Sequence, residues 1–187
     1  MANKDNAFGL KPIGKVGQNS DNNGLSEYDI AASASAIYFN DPVEILSTGT
    51  IGVAAATDAL MGSLTGVFFT DATTSKPTFA NHLNASNTAT DIVGFVSDDP
   101  YQRFEIQSDG ATEATDVGQN ADIVYAAGSS PDFVSKVELD ESDHKDATAQ
   151  LRIIGISKDP ENNTAGSANV NLVVIINEHQ LKGTTGV

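Results

Sequence analysis

Short runs of β-branched residues, closed by Gly, Asn or Asp-Pro, recur along this chain and constrain its fold more than any other feature. The clearest run is VNLVVIINEHQ (170–180), in which Leu172 and Val174 alternate with Val173 and Ile175. Both faces of a strand with this pattern are apolar, so the strand is expected to be central or covered on both sides. Val and Ile together number 27 against 10 Leu, an excess that favours strands over helices.

Similar segments with turn residues between them are found over most of the sequence. Helical signals are weak, and ATEATDVGQNAD (111–122) is expected to hold one helical turn at most. The pattern therefore predicts a mainly β protein with a compact β-sandwich or β-barrel body. The further predicted strand segments are EYDIAAS (27–33), AIYFNDPVEIL (36–46, two short strands around Asn40-Asp41-Pro42), VFFT (67–70), DIVGFVS (91–97), YQRFEIQ (101–107), ADIVYAA (121–127), FVSKVEL (133–139) and TAQLRIIGIS (148–157).

The first twenty residues differ from the rest in both pattern and charge. In NAFGLKPIGKVGQNS (6–20), Gly and Pro separate the apolar residues, which disfavours both a helix and a strand. Residues 1–20 carry three Lys against one Asp, a net charge of +2 in a chain of net charge −15, which leaves −17 for the remainder. We expect an extended N-terminal arm over 1–20 that adheres to a partner, or else an arm that is frayed or folded onto its own acidic body. The candidate contact residues of this arm are Lys4, Phe8, Leu10, Lys11, Pro12, Ile13 and Lys15.

Behind this arm we expect a β body over 21–180 and a polar C-terminal tail over 181–187. Within the body, ATDALMGSLTG (56–66) and the Thr-, Ser- and Asn-rich tract 70–90 lack clear strand patterns. They predict a loop or flap insertion over about 50–90, and loops of this length are usually functional or disordered.

Composition excludes several classes of function. An acidic body of pI near 4.2 repels nucleic acid and anionic membranes, so neither is expected as a partner. The absence of cysteine excludes disulfides, thiolate metal sites and a thiol nucleophile. The N-terminus shows no secretory pattern and the longest apolar run, at 170–176, is too short to span a bilayer, so synthesis in the cytoplasm is expected.

No residue pattern indicates a cofactor or a resident metal. His82, His144 and His179 lack the short spacing that brings two imidazoles onto one ion, and we expect exposed polar roles for them. The acidic strings DESDHKD (140–146) and DPENNTAGSAN (159–169) lack the glycine and glutamate of a calcium loop. They are expected to be solvated turns, with adventitious calcium as the alternative.

Catalytic signatures are also lacking. The string closest to a nucleophile elbow, GSLTG (62–66), has Leu where the serine should stand. No phosphate loop or dinucleotide fingerprint occurs. Because the chain has 25 carboxylates, some pair is bound to lie close together, and such a pair is not evidence for glycoside hydrolysis. The sequence favours a binding or structural protein over an enzyme such as a carbohydrate-active hydrolase.

Ordered segments over most of the chain resemble the capsid decoration, or cement, proteins of tailed bacteriophages. The resemblance is weakest over residues 50–90, where this chain is longer than the smallest members. The segments that carry it are NAFGLKPIG, AIYFNDPVEI, VGFVSDDPYQRFEIQ, DVGQNADIVYAAGS, TAQLRIIGISKDP and VNLVVIINEHQ.

The resemblance implies a β-sandwich or barrel on the outer surface of the virion capsid, commonly a homotrimer, which stabilises contacts between major capsid protein subunits. It implies no catalytic residues, and a capsid-gripping arm would map onto residues 1–20. The alternative is a head-fibre, tail or host-adhesion component of the virion, for which residues 70–90 would form a glycan-binding loop.

Overall fold

The computed structural model describes residues 2–17, 24–143 and 147–183. The chain is mainly β: of the residues just given, 38% lie in strands and 3% in helices, and the antiparallel sheets pack together in a way compatible with a β-sandwich body. The predicted fold class is therefore confirmed. Thirteen strands occur in these ranges: β1 (Lys11–Lys15), β2 (Ser26–Asp29), β3 (Pro42–Ile45), β4 (Ile51–Val53), β5 (Gly62–Thr70), β6 (Pro77–Ala80), β7 (Val93–Ser97), β8 (Gln102–Gln107), β9 (Asn120–Ala121), β10 (Ile123–Val124), β11 (Glu138–Leu139), β12 (Leu151–Ile156) and β13 (Asn171–Ile176).

A five-stranded antiparallel sheet has the order β1-β8-β13-β12-β9. Its inner face is apolar because Phe104 and Ile106 of β8 alternate with Arg103 and Glu105, as the sequence predicts. The short ladder β10-β11 contributes Ile123 and Leu139 to the same core, and Leu60 joins from the connection before β5.

A second antiparallel sheet has the order β2-β7-β5-β3-β4, with β6 paired to the second half of β5. It has a core of its own, in which Val67 and Val96 contribute from central strands. Ile37, Leu83 and Ile92 are also members of this core, and they come from the segments that connect the strands. The molecule therefore has two adjoining hydrophobic cores, one beneath each large sheet.

The prediction of a loop or flap over about 50–90 is wrong. These residues hold β4, β5 and β6, and β5 lies between β3 and β7 in the middle of its sheet. The segment 56–66 contains Leu60, Met61 and Leu64, all fully buried. Gly, Ser and Thr obscured the strand pattern, yet a central strand accepts small side chains where neighbouring elements approach closely.

The prediction of an extended arm without secondary structure is also wrong for residues 2–17. Residues Lys11–Lys15 form the edge strand β1 of the five-stranded sheet, with a bulge between Pro12 and Gly14. Pro is tolerated because an edge strand leaves one side of its backbone unpaired, and a glycine accommodates the bulge. Of the two expectations for the arm, folding onto its own body describes these residues.

Two short helical turns complete the fold, at Ala114–Asp116 and Glu141–Asp143. The first lies within 111–122, where the sequence predicts one helical turn. The predicted strand over 133–139 is shorter than expected, since only Glu138–Leu139 pairs as β11 and Val134 makes an isolated bridge to Phe39.

Candidate interaction surface

The outer face of the five-stranded sheet carries cations between branched apolar side chains. One row across the sheet runs through Gly14, Arg103, Ile175 and Arg152, which are successive cross-strand partners. A neighbouring row runs through Lys11, Glu105, Val173 and Gly155. Directly opposite residues of antiparallel strands lie on the same face, so these side chains share one surface.

Polar contacts hold two cations of this face, Arg152 and Lys11, in place. Arg152 donates from Nε to Asn120 Oδ1 at 2.8 Å and from Nη2 to Asn177 Oδ1 at 3.2 Å. Lys11 Nζ lies 3.1 Å from Glu105 Oε2, and Ser157 donates to the other oxygen of Glu105. The arginine is anchored on neutral amides, so its charge is not cancelled by the groups that orient it.

The turn between β7 and β8 contacts residues from near both ends of the described chain, and these residues lie beside the outer face of the sheet. Lys15 Nζ lies 2.6 Å from Asp99 Oδ2, and this contact lowers the pKa of the Asp99 carboxyl. The backbone N–H of Val16 donates to the Tyr101 carbonyl at 2.9 Å, and Lys182 Nζ lies 4.5 Å from the centre of the Tyr101 ring. This cation–π contact places a further positive charge beside the sheet.

Exposed apolar side chains accompany these charges. Tyr101 is 60% exposed, Leu181 54% and Ile13 46%, and Val16 is exposed as well. Apolar groups interspersed with Lys and Arg are typical of protein contact surfaces, where aromatic and Arg side chains are enriched. We call this surface the basic face; its charged residues are Lys11, Arg103, Arg152, Lys182 and Glu105, and the ion pair of Lys15 with Asp99 lies at its border.

The basic face is an electrostatic exception in this molecule. Its four cations less its one carboxylate give a local charge of +3, the ion pair at its border is neutral, and the whole chain has a net charge of −15. The rest of the sequence therefore has a formal charge of −18. Such segregation favours contact between the basic face and an acidic partner, and it orients the molecule as it approaches.

The structure divides the seven predicted arm residues between this face and the interior. Lys11, Ile13 and Lys15 lie on β1, with Lys11 and Ile13 exposed. Leu10 is completely buried in the core beneath the five-stranded sheet, so it is wrong as a contact residue in the folded chain. Pro12 is half-buried opposite Phe104, and Phe8 is half-buried beneath the Lys11 ammonium, which lies 5.7 Å from its ring centre.

The remaining predicted residue, Lys4, is bound to the loop 159–169. Its ammonium lies 2.7 Å from Glu161 Oε2, and both side chains are exposed. Asn3 next to it donates from Nδ2 to the Thr164 and Ala168 carbonyls at 3.1 and 3.0 Å. This loop, predicted as a solvated turn, is thus the docking site of the N-terminal segment.

Two of the three histidines, His82 and His179, differ from their predicted exposed roles. His179 is buried and its pKa is lowered by burial, while His82 stacks on Phe133 with ring centres 3.8 Å apart. His144 lies outside the described residues, as do Lys145 and Asp146 of the acidic string 140–146. In the described part of the chain, no three metal-binding side chains converge.

Sequence reasoning missed Arg152, Tyr101 and Lys182 as members of one surface. The alternation of Arg103 and Glu105 with buried residues was the available signal for an outer face. Which other strands share that face depends on the strand order, and local sequence patterns do not specify this order.

Comparison of the chain with protein-family models, curated proteins and solved structures gives no match. Within the described ranges, no helix has the length and apolar character needed to cross a bilayer.

Proposed function

We propose that this protein is a structural component of a phage virion that decorates the outer capsid surface and stabilises contacts between major capsid protein subunits. The observation that carries the proposal is the basic face. A strongly acidic protein with a cationic and apolar surface is suited to bind an acidic protein surface and to keep its acidic sides toward solvent.

The resemblance to decoration proteins supports the same surface. Segments that carry it include all five strands of this sheet, from NAFGLKPIG with the start of β1 to VNLVVIINEHQ with β13. The other segments supply β8, β9 and β12 of this sheet, and they also contain β10 and, from the six-stranded sheet, β3 and β7. In this proposal the N-terminal segment contributes as a fixed edge strand, with Lys11, Ile13 and Lys15 as its contact residues.

Copies of the protein would bind with their acidic sides facing solvent. Mutual repulsion between these sides keeps free copies apart before assembly, which favours solubility. One rigid sheet that contacts two neighbouring capsid subunits would oppose the separation of those subunits. The shell would be strengthened by binding alone, without any catalytic group.

The test is co-sedimentation with mature capsids that lack the protein. Arg152→Glu on the basic face and Lys76→Glu in the turn before β6 change the net charge equally, and both side chains are exposed. We expect Arg152→Glu to weaken capsid binding at least tenfold, and Lys76→Glu to leave it within about twofold of wild type. Equal binding by the two variants would exclude the basic face as the capsid contact.

Cryo-electron microscopy of the virion tests the location independently. Decoration predicts regular copies over the whole shell, with the five-stranded sheet toward the capsid. A few copies at a vertex or on the tail would instead favour the head-fibre, tail or adhesion component.

A further inference from the structure

Both arginines of the chain, Arg103 and Arg152, lie on the outer face of the five-stranded sheet. The other eight basic residues are lysines. Arginine differs from lysine in its flat guanidinium group, which presents two parallel N–H donors to the two oxygens of a carboxylate. The contacts of each arginine inside the molecule therefore show which donors remain for a partner.

Three of the four cations of the basic face have a partner within the molecule. Arg152 donates to two amide oxygens, Lys11 pairs with a carboxylate, and Lys182 lies over an aromatic ring. Arg103 is different, because its Nε–H is buried without an acceptor and no described residue accepts from its Nη groups. The two Nη groups are not buried, so they reach the outer face. A half-buried guanidinium without a counter-charge costs free energy that an external anion would recover.

The one carboxylate of the basic face does not supply this counter-charge. Glu105 lies two residues from Arg103 along β8, on the same side of the strand. One of its oxygens lies 3.1 Å from Lys11 Nζ, and the other accepts a hydrogen bond from Ser157. Both oxygens of Glu105 are thus engaged, and Arg103 has no counter-ion among the described residues.

Space for an external group lies directly beside Arg103. Its cross-strand partner on the edge strand β1 is Gly14. A Cβ at Gly14 would meet nothing within 4 Å, so the outer side of this position is open. A side chain of a partner can therefore reach Arg103 above Gly14 without displacing any described residue.

Apolar side chains border this opening. Ile175 on β13 is the other cross-strand partner of Arg103 and is half-buried, and Ile13, next to Gly14, is 46% exposed. Apolar neighbours lower the local dielectric constant, which strengthens a hydrogen-bonded ion pair. They also offer contact area to the methylene groups of a protein side chain, which an inorganic anion lacks.

Charge restricts the anion further. The rest of the sequence has a formal charge of −18, so most of the molecule repels a polyanion such as nucleic acid. A single carboxylate on a partner protein brings one negative charge to the cationic site, and its two oxygens match the planar guanidinium. A neutral or basic side chain would leave Arg103 unpaired. The opening thus selects an acidic side chain of a protein.

We propose that Arg103 is a recognition subsite for an aspartate or glutamate of the partner protein. The acidic side chain enters over Gly14 and accepts hydrogen bonds from the two Nη groups, and its methylene stem lies against Ile13 and Ile175. The inference rests on the proposed function for the identity of the partner, the major capsid protein. The subsite itself is open to a test without a capsid.

Nuclear magnetic resonance of the free protein provides that test. The chain gives two arginine Nε–H signals, and Arg103→Lys assigns them. Propionate has the chemistry of the end of a glutamate side chain, and propionamide is its neutral counterpart. At constant ionic strength, propionate is expected to shift the Arg103 signal saturably and the Arg152 signal less, whereas propionamide should move neither. An Arg103 signal that propionate leaves unmoved, or that inorganic phosphate moves at lower concentration, would overturn the subsite.

Co-sedimentation with capsids that lack the protein tests whether the partner uses the subsite. Arg103→Lys keeps the charge but removes the paired donors, and we expect it to weaken binding about fivefold. Arg103→Gln removes both and should weaken binding at least about tenfold, while Lys76→Gln on the other sheet should stay within about twofold of wild type. Circular dichroism of all three variants should match that of wild type, because the Arg103 guanidinium bonds to no described residue.

The two experiments separate the two proposals. If wild type binds capsids and Arg103→Lys and Arg103→Gln bind equally well, the subsite is wrong and capsid decoration stands. If wild type does not bind capsids, the proposed function is wrong, and the propionate titration decides the subsite by itself.

Discussion

The side-chain amide of Asn162 pairs with the backbone of Lys4 in the way that a neighbouring strand would. Lys4 N–H donates to Asn162 Oδ1 at 2.8 Å, and Asn162 Nδ2 donates to the Lys4 carbonyl at 2.8 Å. Gln107 adds a second donor to the same carbonyl at 3.0 Å and accepts from Asn6 N–H at 2.8 Å. Two buried side-chain amides thus satisfy the N-terminal backbone and fix it to the body.

Replacing Asn162 should therefore destabilise the whole protein. Asn162→Ala removes the acceptor of the Lys4 N–H and one of the two donors to the Lys4 carbonyl, and it is expected to lower the free energy of unfolding by about 1–3 kcal/mol. Urea unfolding followed by circular dichroism measures the change. Asn163 is adjacent and exposed, so Asn163→Ala should have an effect within about 0.5 kcal/mol. Equal effects of the two substitutions would show that the amide pair contributes nothing.

Leu10 makes the N-terminal segment part of the core. Leu10→Ala is expected to cost about 2–5 kcal/mol, since the side chain is completely buried, whereas Ile13→Ala on the exposed side of β1 should change stability by less than about 0.5 kcal/mol. Thermal unfolding of both variants provides the comparison. Deletion of residues 1–20 should likewise unfold or strongly destabilise the body, so it cannot serve as a simple test of capsid binding. A stable truncated body would contradict this role.

Gly9 allows the backbone to enter the core at Leu10. Its φ is +74°, and a Cβ at this position would collide with the Ser135 side chain and the Asn40 carbonyl. We expect Gly9→Ala to lower the free energy of unfolding by at least about 2 kcal/mol. Gly17 also has a positive φ, of +91°, but nothing lies near its missing Cβ. Chemical denaturation of Gly17→Ala should show a smaller loss, and the reverse order would rule out the steric argument.

Asp41 should make stability depend on pH. Burial raises the pKa of its carboxyl from 3.8 to about 6, so the folded state binds a proton more tightly than the unfolded state. The stabilisation is fully present below about pH 4 and is lost as pH rises through about 6. Relative to Asp41→Asn, wild type should lose about 3 kcal/mol of unfolding free energy across this window.

Urea titrations at pH 4, 5, 6 and 7 measure that difference. Asp71→Asn is the matched comparison, because the contribution of Asp71 to stability should change with pH in the opposite direction. Hydrogen bonds from the Thr74 backbone and side chain lower the pKa of the Asp71 carboxyl. Its contribution should be present at neutral pH and disappear in acid. A wild-type profile parallel to that of Asp41→Asn would disprove the raised pKa.

Local patterns in the sequence determined the fold class and several of its strands. The alternation of Phe104 and Ile106 with Arg103 and Glu105 specified both β8 and its outer face, because successive side chains in a strand point to opposite sides. The apolar run in β13 likewise indicated a strand between two others. Charge counting identified the basic N-terminal segment.

Tertiary structure decided where these elements lie and what they contact. Gly and Pro in β1 and the small residues of β5 gave no strand signal, since pairing with β8 and with β7 stabilises those strands across long sequence separations. Only strand order brings Arg103, Arg152 and Lys182 onto one surface. The amide of Asn162 acquires its role in the same way, because its partner Lys4 is far away in the chain and only the fold makes them neighbours.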